Sequence, residues 1–394
     1  MSLQSILAPV EPPEFLRAYW ENIPLHVNRS QPDFYLGLIS LNDINCILTE
    51  RSLIYPAVRL VREGEYLPVG AYADDYRYGF EYIEGVVDPL RVVDEFSKGA
   101  TIVFNALDRH WRSLSDLCRE LENQFKGVAH ANGYLSPKRA VGFAPHYDTH
   151  EVFVLQITGT KRWKVYDPVI RLPLPSQVEE LPSELGEPAY EIELDGGDLL
   201  YLPRGYIHSA VTSSEVSFHV TIGLTPYTWV DAFREAVRLC ENELRFRHSF
   251  PLASPDGTDD ERSAFQEFGE MLQQDRTLAA VRELLLNQFI SNCPPTHRGG
   301  LDAALRLEEV TARSVVQLDP ATSVCLTTEE SGVALRCNGQ KIKFPEKARE
   351  ALTFAEKART FTVDCLPGLG GEDKLAFVRR LIRKGVLTVL SYES

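Results

Sequence analysis

Positive charge is what this sequence has too little of. Its 41 Lys and Arg face 56 Asp and Glu, a formal net charge of −15. That balance speaks against a fold built to coat nucleic acid, because phosphate binding needs a positive footprint. A basic partner is easier to accommodate. Long apolar runs are missing as well: no stretch approaches the ~18 residues of a membrane span. The first residues, MSLQSILAPVEPPEFLRAYW, lack a charged segment leading into an apolar one, so secretion is not expected. The 7 cysteines are odd in number, scattered, and without a CxxC pair. They read as reduced cytosolic thiols filling core, not as a disulfide framework or a zinc ribbon. Internal repeats and low-complexity tracts are absent. A cytoplasmic protein is the expectation.

What is present divides into three regions. At ~150 residues per domain, 394 residues allow two or three domains. Residues 1–225 are rich in Tyr, Phe, Val and Gly, with short apolar runs broken by Pro and Gly; that predicts many short strands in a sandwich or barrel. Within it, PPEFLRAYWENIP and LNDINCILTE look helical, and HWRSLSDLCRELENQF repeats Leu114, Leu117 and Leu121 at helical spacing.

Residues 226–295 change character. Thr228 followed by Asp231 predicts a helix start, and Val230, Phe233, Val237, Cys240 and Leu244 form one apolar stripe. The polar stretch SPDGTDDERS predicts a loop before a second helical run holding Phe265, Phe268, Leu272, Leu284, Leu285 and Phe289. Such helices pack on the strand-rich neighbour or on a second copy, and a homodimer is expected. NCPPTHRGG reads as a linker.

In residues 300–394, Asn338-Gly339 between strand-like runs predicts a tight hairpin. The helix-like KAREALTFAEKA and DKLAFVRRLIRKG follow, the latter stopping at Gly385, and then the strand-like VLTVLS. This order suggests a small winged-helix-like module. From residue 331 onward, 12 Lys and Arg exceed 7 Asp and Glu.

The chemistry concentrates in GFAPHYDTHEVFVLQITGTKRWKVYDP (142–168) and GGDLLYLPRGYIHSAV (196–211). On an extended strand, His146 and Asp148 leave the same face. A third donor, His208, follows the apolar run LLYLP and a Pro-Arg-Gly turn that would hold it at a strand end. Two imidazoles and one carboxylate describe a facial triad that leaves adjacent positions open on iron(II). The His-x-Asp pattern alone arises often by chance; joined to the later Gly-Asp-strand-Pro-x-Gly-x-x-His segment it is far more specific.

These segments resemble those of the JmjC-type cupin 2-oxoglutarate oxygenases, specifically the ribosomal protein hydroxylase branch. The likeness runs almost unbroken through ANGYLSPKRAVGFAPHYDTHEVFVLQITGTKRWKVYDP, and more loosely over PPEFLRAYWENIPLHVNR and the C-terminal regions. It implies an α+β fold: a double-stranded β-helix (cupin, JmjC jelly roll), then a helical dimerisation region and a winged-helix-like C-terminal domain. It implies that His146, Asp148 and His208 hold iron(II), and that Lys161 pairs with the distal carboxylate of 2-oxoglutarate. Asn132 and Tyr134 would line the cosubstrate pocket, and His219 and Thr221 would approach its proximal carboxylate.

Read from the residues alone, Lys161 would more often be a solvated hairpin residue beside Gly159. His219 and Thr221 could equally be polar core residues, and Trp163 reads as core. His150 departs from the mostly apolar residue of the family and is assigned to the substrate side.

The activity implied is dioxygen-dependent hydroxylation of a protein or peptide side chain, most simply in a ribosomal protein, with 2-oxoglutarate converted to succinate and carbon dioxide. YADDYRYGFEYIEG (72–85), with Asp74 and Asp75, suits a basic polypeptide if it borders the mouth; otherwise it is a solvated acidic loop. Rival readings are hydroxylation of a secondary-metabolite precursor peptide and N-methyl-lysine demethylation. From another class comes a non-enzymatic cupin-like regulator that contacts nucleic acid through Arg379, Arg380, Arg383 and Lys384. Basic residues at a helix end also suit the helix dipole.

Overall fold

The segment EVFVLQIT is buried along nearly its whole length, which a strand with one wet face cannot be; it needs cover on both sides. The computed structural model supplies that cover. It describes residues 1–140, 142–177, 179–250, 259–293, 300–319, 322–329, 332–337 and 339–392. Contacts divide the chain into two units, residues 1–226 and 227–394.

Helices of the first unit are α1 (Leu3–Leu7), α2 (Pro12–Ala18), α3 (Leu41–Glu50), α4 (Pro89–Ser97) and α5 (Arg112–Phe125). Its early strands are β1 (Leu25–Val27), β2 (Val58–Arg62), β3 (Glu65–Tyr66), β4 (Ala73–Tyr78), β5 (Glu81–Val87), β6 (Thr101–Phe104) and β7 (Val128–Ser136). Then come β8 (Glu151–Thr158), β9 (Lys161–Tyr166), β10 (Tyr190–Leu194), β11 (Leu199–Leu202), β12 (Ile207–Thr212) and β13 (Ser217–Thr225). Among the described residues these form an antiparallel sheet ordered β1-β11-β8-β13-β7-β6-β2-β3, a smaller sheet β10-β9-β12, and the separate hairpin β4-β5.

Alternation along β8 feeds two cores. Val152 and Val154, with Leu200 and Leu202 of β11, meet Trp163, Val165 and Leu194 of the smaller sheet. Phe153, Leu155 and Ile157 point the other way, into a core with Phe15, Leu114, Leu117 and Leu121 from the helices. Each such side chain contributes ~1.5–3 kcal/mol by leaving water. The result is two facing antiparallel sheets with helices on the outer face of the larger one. The helices expected at PPEFLRAYWENIP, LNDINCILTE and HWRSLSDLCRELENQF form as α2, α3 and α5.

In the second unit the helices are α6 (Trp229–Cys240), α7 (Asp259–Leu272), α8 (Asp275–Asn292), α9 (Gly300–Leu305), α10 (Arg349–Ala358) and α11 (Gly371–Arg383). Its strands are β14 (Val315–Leu318), β15 (Val324–Glu329), β16 (Gly332–Cys337), β17 (Gln340–Phe344), β18 (Thr360–Thr362) and β19 (Leu387–Ser391). They pair in two groups, β18-β14-β19 and β15-β16-β17, around a core that includes Val316, Leu335, Leu352, Phe377 and Leu381.

Thr228 and Asp231 exchange side-chain and backbone bonds to cap α6, as expected. The apolar stripe behaves otherwise. Val230, Phe233 and Val237 are exposed, whereas Glu235 and Ala236 are buried, because Glu235 accepts bonds from Arg238 and Gln288. Leu244 lies in a short turn beyond the helix. The expected loop SPDGTDDERS is also corrected at its end: Asp259 opens α7. Residues 254–258 of that loop lie outside the described residues, as do 294–299 of the linker and Asn338 of the Asn-Gly turn. Gly339 takes φ 68° between the paired Cys337 and Gln340, and Gly385, at φ 69°, follows α11.

Candidate active site

The expectation that His146 and Asp148 share a regular strand is not met. Among the described residues between β7 and β8 there is no regular strand, and His146 forms an isolated bridge with His208. The His146 N–H donates to the His208 carbonyl at 3.2 Å, and the His208 N–H returns the bond at 2.8 Å. Asp148 is held separately: its carbonyl accepts from the Gly205 N–H at 2.9 Å. Gly205 sits at φ +94°, and a Cβ there would lie 2.4 Å from the Ile170 carbonyl oxygen. Glycine is required at that turn.

These long-range bonds bring one donor atom each from His146, Asp148 and His208 within 4.8 Å of one another. The His146 Nδ1 faces the Ala144 carbonyl at 2.9 Å and the His208 Nδ1 faces the Tyr206 carbonyl at 3.1 Å. A carbonyl only accepts, so each Nδ1 carries the proton and each Nε2 lone pair is free for a metal. His208 lies with its Nε2 3.6 Å from Asp148 Oδ2. Burial, aided by His146, pushes the His208 imidazole down to about 4, against the opposing pull of Asp148. Burial would raise the Asp148 carboxyl, but His208, His150 and His146 together hold it below its ordinary value. At neutral pH the imidazole of His208 is neutral and the carboxylate ionised, the states that ligate.

The three side chains open into a cavity of about 320 Å³ whose wall also includes Asn132, Tyr134, Lys161, His219 and Thr221. Sheet register explains this gathering. Asn132 is opposite Thr221, Tyr134 opposite His219, and Ser136 opposite Ser217, so their side chains share one face of β7 and β13. Tyr134 and His219 stack with centroids 4.8 Å apart. Burial, then the Asp148 charge, raises the Tyr134 phenol to about 12.

Lys161 overturns the solvated reading. It is 3% exposed, because Lys161, Trp163 and Val165 all take the inward positions of β9. Its ammonium donates to the Ser136 hydroxyl at 3.2 Å, and Ser136 accepts from Thr101 as well. Among the described residues no carboxylate pairs with it. Burial lowers the amine to about 7. The buried Nδ1 of His219 has no partner among the described residues. A buried cation beside an unpaired polar atom is a costly arrangement that an anion would relieve.

The other expected residues distribute as follows. His150 lines the cavity, its Nε2 4.0 Å from Asp148 Oδ1 and its ring edge-on to His130. Trp163 belongs both to the inter-sheet core and to the cavity wall. Asp74 and Asp75 are not in that wall: Asp74 pairs with Arg91, Asp75 accepts from the Gly85 N–H, and both stand on the exposed hairpin β4-β5. Sequence reasoning missed Ser136 and Thr101. The signal for Ser136 was present, since period-two alternation extends Asn132 and Tyr134 to it.

The chain is similar to known proteins over nearly its whole length. Residues 104–232 match the family model described as JmjC domain. The chain is 29% identical to chicken Ribosomal oxygenase 1, covering 97% of this chain and 71% of that one. It is 29% identical to the bifunctional lysine-specific demethylase and histidyl-hydroxylase NO66 of Drosophila persimilis, over 98% of this chain and 62% of the relative. Against human Ribosomal oxygenase 1 the figures are 31%, 66% and 42%. The chain therefore spans less than two thirds of the fly and human proteins. Its fold is similar to that of YcfD, a ribosomal oxygenase from Escherichia coli, with TM-score 0.54 and 19% identity over 97% of this chain and 99% of that one. A similar match, TM-score 0.54 at 18% identity, is YcfD in complex with cobalt and 2-oxoglutarate.

Proposed function

We infer that this chain, a JmjC-domain oxygenase, uses iron(II), 2-oxoglutarate and dioxygen to hydroxylate a side chain of a protein, most simply a ribosomal protein. One observation carries the reading: His146, Asp148 and His208 converge on a cavity that also holds the buried, carboxylate-free Lys161. The ribosomal substrate rests on the names of the relatives. The donor set suits iron(II), and the unpaired ammonium suits a dianionic cosubstrate.

Bound there, iron(II) supplies the coupling of 2-oxoglutarate decarboxylation to oxygen insertion into a C–H bond. The chain's own residues position and exclude. His146, Asp148 and His208 would hold the metal, the two Nε2 atoms already oriented by the Nδ1 bonds to backbone carbonyls. Lys161, with Ser136 and Thr101 behind it, would bind the distal carboxylate. His219, Thr221, Asn132 and Tyr134 would fix the rest of the cosubstrate. His150, on the same wall, would face the substrate. Trp163 and the apolar wall keep water from the reacting centre.

The test is reconstitution with iron(II) under anaerobic conditions, followed by 2-oxoglutarate, oxygen and ribosomal proteins. Succinate formation together with one added oxygen on a single peptide is expected. Formaldehyde release from a methylated lysine instead would move the reading to demethylation.

A homodimer through α6–α8 is supported by the exposed Trp229, Phe233 and Val237. A winged-helix-like role for the C-terminal strands and helices is part of the same proposal. Its basic cluster is a weaker basis for nucleic-acid binding: Arg379 bonds the Glu308 and Val310 carbonyls, and Arg380 lies over the Phe344 ring.

A further inference from the structure

The hairpin β4-β5 stands in water on both faces. Tyr76 is 58% exposed, Tyr78 72%, Phe80 98% and Tyr82 65%. A two-stranded hairpin is marginal by itself, and clustered aromatics held in water mark a binding surface. Its charge is one-sided: residues 72–85 carry Asp74, Asp75, Glu81 and Glu84 against Arg77 alone. Much of that charge is already engaged. Asp74 pairs with Arg91, Asp75 accepts from Gly85, and the Arg77 Nε donates to the Gly79 carbonyl. Glu81 and Glu84 have no ion-pair partner among the described residues.

We propose that this hairpin docks a basic segment of the polypeptide substrate outside the cavity. Register places Tyr78 opposite Glu81 and Tyr76 opposite Ile83, so an aromatic ring and a carboxylate share one face. That pairing suits arginine or lysine: the ring takes the cation's face while the carboxylate takes its N–H groups. The hairpin base connects to the cavity wall. The Tyr55 N–H donates to the Gly85 carbonyl at 2.9 Å. The Arg59 guanidinium lies 5.7 Å from the Tyr55 ring and 5.3 Å from the Tyr66 ring, and Tyr66 lines the cavity. Charge complementarity favours a basic occupant: an anionic lipid surface and a nucleic acid would be repelled, and an acidic hairpin does not pair with its own copy.

The proposal rests on a polypeptide substrate and deepens that reading. It is tested with the full chain and a fluorescein-labelled peptide of Arg, Lys and Gly, against a peptide of equal length with Glu for the basic residues. Two double variants are compared with wild type: Tyr78→Ser with Phe80→Ser, and Glu81→Lys with Glu84→Lys. The basic peptide should bind wild type and the acidic one should not. Each double variant should lose ~10-fold or more in affinity while peptide-independent 2-oxoglutarate turnover stays unchanged. Unaltered peptide binding in the charge-reversed variant would overturn the proposal. So would self-association of wild type that the Tyr78/Phe80 variant abolishes, since the occupant is then a second copy. If wild type itself shows no 2-oxoglutarate turnover yet the peptide results hold, the oxygenase reading fails and the docking surface stands.

Discussion

His146 and His208, distant in sequence, exchange both backbone hydrogen bonds and hold their imidazole centroids 4.5 Å apart. A single bridge thus sets the spacing of two of the three donors proposed to hold the metal. The third, Asp148, is held by the turn that precedes His208, so all three depend on one short stretch, Pro203 to His208. This dependence underlies the first two predictions.

Replacing His208 by Ala should abolish iron retention and reduce 2-oxoglutarate turnover at least ~100-fold, exceeding the ~10–100-fold loss seen when a group behind a ligand is removed. The visible spectrum of the cobalt-substituted protein checks this independently of activity. An unchanged spectrum would exclude His208 as a ligand.

Gly205→Ala places a Cβ against the Ile170 carbonyl at a backbone angle that only glycine holds cheaply. It should cost about 1–3 kcal/mol, read as a lowered melting temperature. Because the turn also carries the bond to Asp148, iron affinity should fall with it.

Lys161→Ala should raise the KM for 2-oxoglutarate ~10–100-fold, the value of one charge-assisted contact of ~1.5–3 kcal/mol, with a smaller change in kcat. In wild type, the amine at about 7 must be protonated to hold a carboxylate. The KM should therefore be flat below that pH and rise above it.

The same group affects stability with a definite sign. Its folded pKa of about 7 lies below the ordinary 10.5, so between those values the unfolded chain binds more protons and this group's contribution to stability rises with pH. Lys161→Met should melt higher than wild type near pH 7, and the gap should shrink as pH rises toward 10. A gap independent of pH would show that the lysine is not desolvated.

Phe233→Glu with Val237→Glu should convert a homodimer to monomer in light scattering, if α6 contributes the interface. Turnover of 2-oxoglutarate should survive, since neither residue belongs to the cavity.

Much of this was legible in the chain itself. Period-two alternation in β13 put His219 with Thr221, because a strand's own backbone decides which side chains share a face; Asn132 and Tyr134 were pointed to by the family resemblance. The helices α2, α3 and α5 and the cap of α6 followed from local spacing and local hydrogen bonding. The spacing of His146 and Asp148 picked out two of the three donors that converge, though for the wrong reason: the two residues are not on a strand. Tertiary structure decided what local geometry could not. Lys161 is buried because β9 turns it toward the larger sheet, and the spacing from His146 did not reveal that. Asp74 and Asp75 lie outside the cavity because β4 and β5 pair with each other instead of joining the main sheets. Val230, Phe233 and Val237 are exposed because Glu235 found Arg238 and Gln288. Periodicity reports faces within one element; only register and hydrogen bonds between distant elements determine which faces meet.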